Sequence, residues 1–412
     1  MSDPREDAIV VTGIGLVTPL GTGADAVWHA WTNGDCGFRA LEAGDSRLAQ
    51  GIDPSDPPVV ERAAFVRDFV PREHVRHGLL RRMDWVSRML VAAARQAYHD
   101  AGCDAPDESE RERAAIVVGS QFGNQRETAR YTRRVLDAGL GAGSPMLFPN
   151  LVINAAAGYA AIELGFSGPN LTVSEHEASG EAAFAAALDL LRSGACDLAI
   201  VGGVDEFGEV YLQALAERRL LHPSVGWRKV LTQRSAGWMI PAEGAAALLL
   251  ERADRARRRG ARVYGVVEEA ATVGSAAGPY DLPSPAAAAR ALCAAVLPQG
   301  RVDAYLGLAD GGAPRRAIDH ACREALAAGQ GAPVRYATFR EQSGDHGSIG
   351  MLGIALAALA VHRGAFPDRE RAACVRRVAL LGAARGGVLA PISLSSAIDP
   401  SSAIDPPLRA AP

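Results

Sequence analysis

Lysine is almost missing from this chain. Lys229 is the only one in 412 residues, and every other fixed positive charge is an arginine. A mechanism that needs a lysine amine therefore has a single candidate. Paired metal ligands are missing too. The six cysteines (Cys36, Cys103, Cys196, Cys293, Cys322 and Cys374) stand singly, with no CxxC and no Cys/His cluster at zinc spacing. That excludes a zinc-ribbon or disulfide-framework reading and fits a reduced, cytoplasmic setting. No apolar run reaches the roughly 20 residues of a membrane span. The opening MSDPREDAIVVTG is acidic and enters a strand directly, so no signal peptide is expected. A net charge of -4 gives no general attraction to nucleic acid or to anionic membrane surfaces.

What is present is alternation. Ala8 to Gly13, Ala114 to Gly119, Leu171 to Ser174, Asp197 to Gly203 and Ala245 to Glu251 read as buried strands, with helical spacing over 83–101 and after Glu177. The pattern recurs: Val263 to Glu268 and Val302 to Leu308 as strands, Pro285 to Val296 and Gly350 to Val361 as helices, and a closing hairpin of Val378 to Leu381 with Leu389 to Leu394. This is an α/β chain with sheets buried on both faces. The end, SSAIDPSSAIDPPLRAAP, repeats SSAIDP and cannot bury a core, so 396–412 is expected to be a flexible tail.

One stretch carries the chemical question. In LTVSEHEASGEAAFAAALDLL (Leu171 to Leu191) a strand turns sharply at Glu175-His176-Glu177 into a helix opened by small residues. Such a strand–turn–helix exposes a nucleophile at a helix N-terminus, yet its tip holds a glutamate. An acidic residue in a first helical turn is also favoured by the macrodipole alone.

Several segments together resemble the β-ketoacyl synthase family: VVTGIGLVTPLG, RRMDWVSRM, AAIVVGSQFGN, FPNLVINAAAGYAAIELGFSGPNLTVS, LAIVGGVDEF and PAEGAAALLLE, with looser matches at VDAYLGLADG, SGDHGSIGMLGIALAALAV and LLGAARGGVLAPISL. The resemblance implies a thiolase-like, five-layered αβαβα body built from two similar halves, here 1–252 and 253–395. It also implies no cofactor or metal, and dimerisation by antiparallel pairing of the strand around Leu171 to Ser174. Active members use a cysteine, two histidines and a lysine. Carried across, the cysteine position is Glu177, the first histidine position falls at Asp310 in Ala309-Asp310-Gly311, and Arg340 and Glu341 occupy the lysine region. His346 stands near the second histidine with its spacing off by about a residue, and the gating phenylalanine aligns with Arg385. A carboxylate cannot replace a thiolate as an acyl carrier here, because a mixed anhydride would hydrolyse.

The resemblance is therefore to the chain-length factor branch, whose members lack the cysteine. They pair with an active ketosynthase and shape a tunnel for the chain delivered on an acyl carrier protein. Glutamine is usual at the cysteine position in that branch, and Glu177 departs from it. Glu177 and Arg385 are expected to meet, since a buried carboxylate needs a partner; the alternative is an Arg385 that points to solvent. Gln121, Phe122, Met146, Phe148, Leu171, Val173 and His176 are the candidate tunnel and interface residues, with Met146 and Phe148 as plugs; plain core packing is the other reading of Gln121, Phe122, Met146 and Phe148. A stand-alone decarboxylase using Glu177 with His346 or His176 is the alternative function, and a homodimeric scaffold a third.

Overall fold

The computed structural model describes residues 7–40, 62–103, 106–206, 208–217, 239–367 and 374–397. Lys229, and the tail from 398 onward, lie outside the described residues.

The principal strands are β1 (Ile9–Thr18), β2 (Ala114–Gly119), β3 (Asn170–Val173), β4 (Leu198–Asp205), β5 (Gly244–Arg252), β6 (Gly265–Ala270), β7 (Ala304–Gly307), β8 (Arg335–Thr338), β9 (Arg377–Ala383) and β10 (Val388–Ser395). They join in one path, β8-β7-β9-β10-β6-β1-β5-β4-β2-β3. The first five strands run 1-5-4-2-3 in space, with two antiparallel and then two parallel pairings. The last five, taken outward from β6, repeat that order and that pattern. The halves meet where β1 pairs antiparallel with β6, Ile9 opposite Val267.

Helices α1 (Trp85–Asp100), α2 (Gln125–Ala138), α3 (Ala155–Leu164), α4 (Ser179–Arg192), α5 (Glu209–Glu217), α6 (Pro285–Val296), α7 (Ala313–Gln330) and α8 (Gly350–Arg363) complete the frame. Three apolar cores separate the layers. One lies under α1 and α3, one around α4 and α8 between the two halves, and one under α6 and α7. The chain is thus a five-layered αβαβα body built twice from one pattern, the thiolase-like fold.

Glycines in VVTGIGLVT set the tightest contact. A Cβ on Gly13 would lie 2.0 Å from the Ala97 carbonyl oxygen, and one on Gly15 1.9 Å from that of Ala93. Helix α1 therefore rests directly on the β1 backbone. A register shift between Val11 and Gly13 bulges the strand. Side chains of α1 take up two strand N–H groups: Ile14 donates to Asp100 Oδ2 at 2.9 Å and Leu16 to Gln96 Oε1 at 3.2 Å.

The far end of the path is open. Strand β3 pairs only with β2, and Leu171 on it is exposed. Among the described residues, most exposed large apolar side chains come from the segments around this edge: Phe122, Leu136 and Leu140, Met146 and Phe148, Val152 and Ile153, and Ile162. No helix of the described residues is long and apolar enough to cross a membrane.

Candidate functional site

The turn after β3 is built for strain at its tip. His176 has φ 49°, uncommon for a side chain with a Cβ. Ser179 holds the turn: its hydroxyl donates to the His176 carbonyl at 2.7 Å and accepts from the Glu175 N–H at 2.9 Å. His176 itself is exposed, while Glu177 is buried at 4% exposure. The tip thus drives one side chain outward and the next inward, into the layer between the halves.

Glu177 meets Arg385 there. The Arg385 backbone N–H donates to Glu177 Oε2 at 3.0 Å and the Arg385 guanidinium donates to Oε1. Burial opposes the Glu177 charge, but Arg385 first and Arg315 second outweigh it and hold the carboxyl below the usual glutamate range. The carboxylate is therefore ionised and engaged. Its partner N–H, a donor that could otherwise stabilise a developing oxyanion, is already used.

Behind this pair lies a buried charge array. Arg315 projects from the first turn of α7, with Nε 3.2 Å from Asp310 Oδ2 and Nη2 3.4 Å from Asp345 Oδ2. Arg340 donates to Asp345 Oδ1. Asp345 is fully enclosed; burial resists its charge, and Arg340 and Arg315 override this and depress its pKa. Glu181, one turn into α4, goes the other way: burial pushes its carboxyl up, and Arg340 Nη2 stands 4.0 Å away. Gly350 and Gly382 leave it room, for a Cβ on Gly350 would sit 1.9 Å from the Glu181 carboxyl carbon. Glu177, Glu181, Asp310 and Asp345 thus share three arginines, Arg315, Arg340 and Arg385.

His346 is not in this array. Its Nδ1 lies 3.3 Å from the Ser348 hydroxyl and 3.7 Å from Asp205 Oδ2. Asp205 is a hub: it accepts from Ser120 and Ser348 hydroxyls at 2.8 Å and from the Gln121 and Phe122 N–H groups at 2.9 and 3.3 Å. This fixes the loop that carries Gln121 and Phe122. The space beside His346 and Ser348 is about 10 Å³, far too small for an acyl chain. Phe122 packs on Tyr211 of α5 with ring centroids 4.8 Å apart. The Tyr211 phenol is held above its ordinary range by burial and by the nearby charges of Glu177 and Asp345.

Met146 and Phe148 are 75% and 59% exposed, so neither is core packing within this chain. Val173 is half-buried against the central core. The described residues contain no group of His, Cys, Asp and Glu that could hold a metal. A cleft of about 580 Å³, lined among others by Gln96, His99, Tyr264 and His362, shares no residue with the array.

Sequence reasoning missed Arg315, Glu181 and Tyr211. For Arg315 a signal existed: it sits on the buried stripe of α7 with Ile318, Asp319, Cys322 and Leu326, where an unpaired charge is not expected.

Known proteins resemble this chain in sequence and in fold. The β-ketoacyl synthase N-terminal domain family matches residues 6–256. A mitochondrial 3-oxoacyl-[acyl-carrier-protein] synthase of Arabidopsis thaliana is 27% identical over 272 residues, 62% of this chain and 58% of that protein. The 3-oxoacyl-[acyl-carrier-protein] synthase 2 of Staphylococcus aureus (strain COL) is 26% identical over 281 residues, 68% of this chain and 65% of that protein. The matches thus span less than two thirds of these relatives' own length. Among solved structures, the ishigamide ketosynthase/chain length factor superposes with a TM-score of 0.79 at 26% identity, covering 95% of this chain and 99% of that one. A type II acyl-carrier protein in complex with its ketosynthase gives a TM-score of 0.78 at 17% identity, covering 96% of this chain and 100% of that one, a likeness of fold alone.

Proposed function

The chain belongs to the β-ketoacyl synthase family, and from that premise we propose that it is a catalytically silent ketosynthase-like subunit. In this reading it is a chain-length factor. It pairs with an active ketosynthase and shapes the tunnel that receives a growing polyketide or polyene chain from an acyl carrier protein. Residues 1–252 and 253–395 form its two ketosynthase-like halves.

The observation that carries the reading is the charge array. Carboxylates stand at the turn tip (Glu177) and in two further loops (Asp310 and Asp345), each held by an arginine. None is a thiol or an imidazole, so these three side chains supply neither the thiolate that carries an acyl group as a thioester nor the imidazoles that polarise its carbonyl. The open edge of β3 and the apolar side chains around it supply the surface for a partner. The likeness to a ketosynthase/chain length factor structure supports the same partner kind. The decarboxylase reading has less support: Glu177 is engaged by Arg385, His346 by Ser348 and Asp205, and His176 is exposed.

The test is the native mass of the chain expressed alone and then co-expressed with the ketosynthase encoded beside its gene. A one-to-one complex is expected. A stable homodimer that ignores the ketosynthase would remove this reading and leave the scaffold or enzyme readings.

A further inference from the structure

Near Glu177, buried donors and acceptors alike are left over: Arg315 and Arg340 are 4% and 1% exposed, and Arg315 Nη1 and Arg340 Nε have no hydrogen-bond partner, nor do Glu181 Oε2 and Asp345 Oδ2. The Arg385 N–H and guanidinium converge on one carboxylate, with the Arg315 charge behind them. A backbone N–H and a guanidinium aimed at one point are the elements of a carboxylate-binding site. The two sides of the contact come from different halves. The receiving loop follows β9 and turns through Gly386 and Gly387 at φ 87° and 97°, while Glu177 is delivered by the turn after β3. The Arg385 side chain is 27% exposed, so the site borders solvent.

Charge balance points the same way. Removing Glu177 leaves the Arg385 guanidinium and N–H without the carboxylate that both contact, with the Arg315 charge behind them. An uncompensated buried cation is strongly unfavourable, so the emptied site would draw in an anion.

We infer that Glu177 is a tethered ligand: it occupies a seat for a small organic carboxylate formed by Arg385 and Arg315, and so keeps free acids out of the pocket. The inference rests on the silent-subunit reading only in taking this pocket to do no condensation. It concerns occupancy rather than pairing, so the native-mass test and the one below fail independently.

The experiment uses the full chain, in whichever assembly the native-mass measurement gives, and reads thermal midpoints at constant ionic strength. Glu177→Ala is titrated with sodium acetate, and with acetamide and sodium chloride as controls. The expected result is a lowered midpoint that acetate alone raises, in a saturable way. The wild-type chain, whose own carboxylate competes intramolecularly, responds at least about tenfold more weakly. Adding Arg385→Met to Glu177→Ala abolishes the response. Should Glu177→Ala not fold, Glu177→Ser keeps a small acceptor for the Arg385 N–H and is read in the same way. Equal effects of acetate and acetamide, equal effects of acetate and chloride, a response that survives Arg385→Met, or no response to acetate would each overturn the inference.

Discussion

Replacing Arg385 by methionine isolates what the guanidinium does for Glu177. The substitution keeps an apolar stem of similar length and the backbone N–H, and removes the charge. Breaking a buried ion pair from one side costs about 3–5 kcal/mol. Arg385 is 27% exposed and Arg315 remains behind Glu177, so the lower end, about 3 kcal/mol, applies. An unfolding entropy of about 2.1 cal/mol/K per residue over 412 residues gives about 0.9 kcal/mol/K, so the midpoint should fall by about 3–4 °C. The pH dependence fixes the cause. In the wild type the Glu177 pKa is depressed; it contributes stability above its unfolded value and loses it as pH falls through the folded one. Without Arg385, burial dominates and the folded pKa moves up, so the penalty applies above the unfolded value and fades on acidification. The gap between the two proteins should be widest at neutral pH, narrow on acidification, and close only as pH falls below the ordinary glutamate range. Glu177→Leu combined with Arg385→Met should return most of the loss, because a buried pair replaced by apolar groups is often neutral. A gap that stays constant with pH, or a double variant as unstable as the sum of its parts, would refute the pairing argument.

Gly350→Ala should cost about 2–3 kcal/mol, an overpacking penalty against the Glu181 carboxyl; a denaturant midpoint measures it, and Glu181→Ala in the same chain should recover part of it. Glu177→Cys should give no ketoacyl product with its carrier-protein substrates, since Asp310 and Asp345 supply no imidazole; product detected by mass spectrometry would show that the array is not the block. Phe148→Ala, which trims a 59% exposed ring beside the open edge, should lengthen products of the ketosynthase complex, and unchanged lengths with an intact complex would remove Phe148 from the tunnel.

The fold was legible in the sequence because its signals are local. Strand runs, small-residue helices and the turn at Glu177 each lie within about twenty consecutive residues; the repeated order of β1–β5 and β6–β10 is not local, and only the family resemblance implied two similar halves. The site was legible only in part. Glu177 declared itself by occupying a nucleophile's turn. Its partner is 208 positions away in sequence, and only family alignment connects the two before the topology does. Asp345 and His346 show the limit more sharply. They are neighbours that follow Gly344, at φ 75°, and Asp345 meets Arg340 while His346 meets Asp205. Spacing alone cannot resolve a one-residue choice. Arg315 was marked by its place on the buried stripe of α7 and Glu181 was not, but nothing local explains a charge on a buried helical face in either case; the explanation is the other charges.

Those charges form a set, and that bears on why the pocket is filled with ions rather than with leucines. An apolar filling would avoid the desolvation of these polar groups, so stability alone does not account for the array. Directional contacts do something that apolar packing does not. They fix the His176–Ala178 turn from one half against the loop after β9 from the other through an N–H, a guanidinium and a carboxylate in one geometry. The same turn presents His176 and the end of β3 outward, beside the exposed apolar edge. A partner that docks there reads a turn whose position the array sets. The Glu177→Leu, Arg385→Met variant separates the two contributions: it should keep the stability of the wild type while its complex with the ketosynthase dissociates faster. A complex of unchanged lifetime would assign the array to filling the pocket and nothing more.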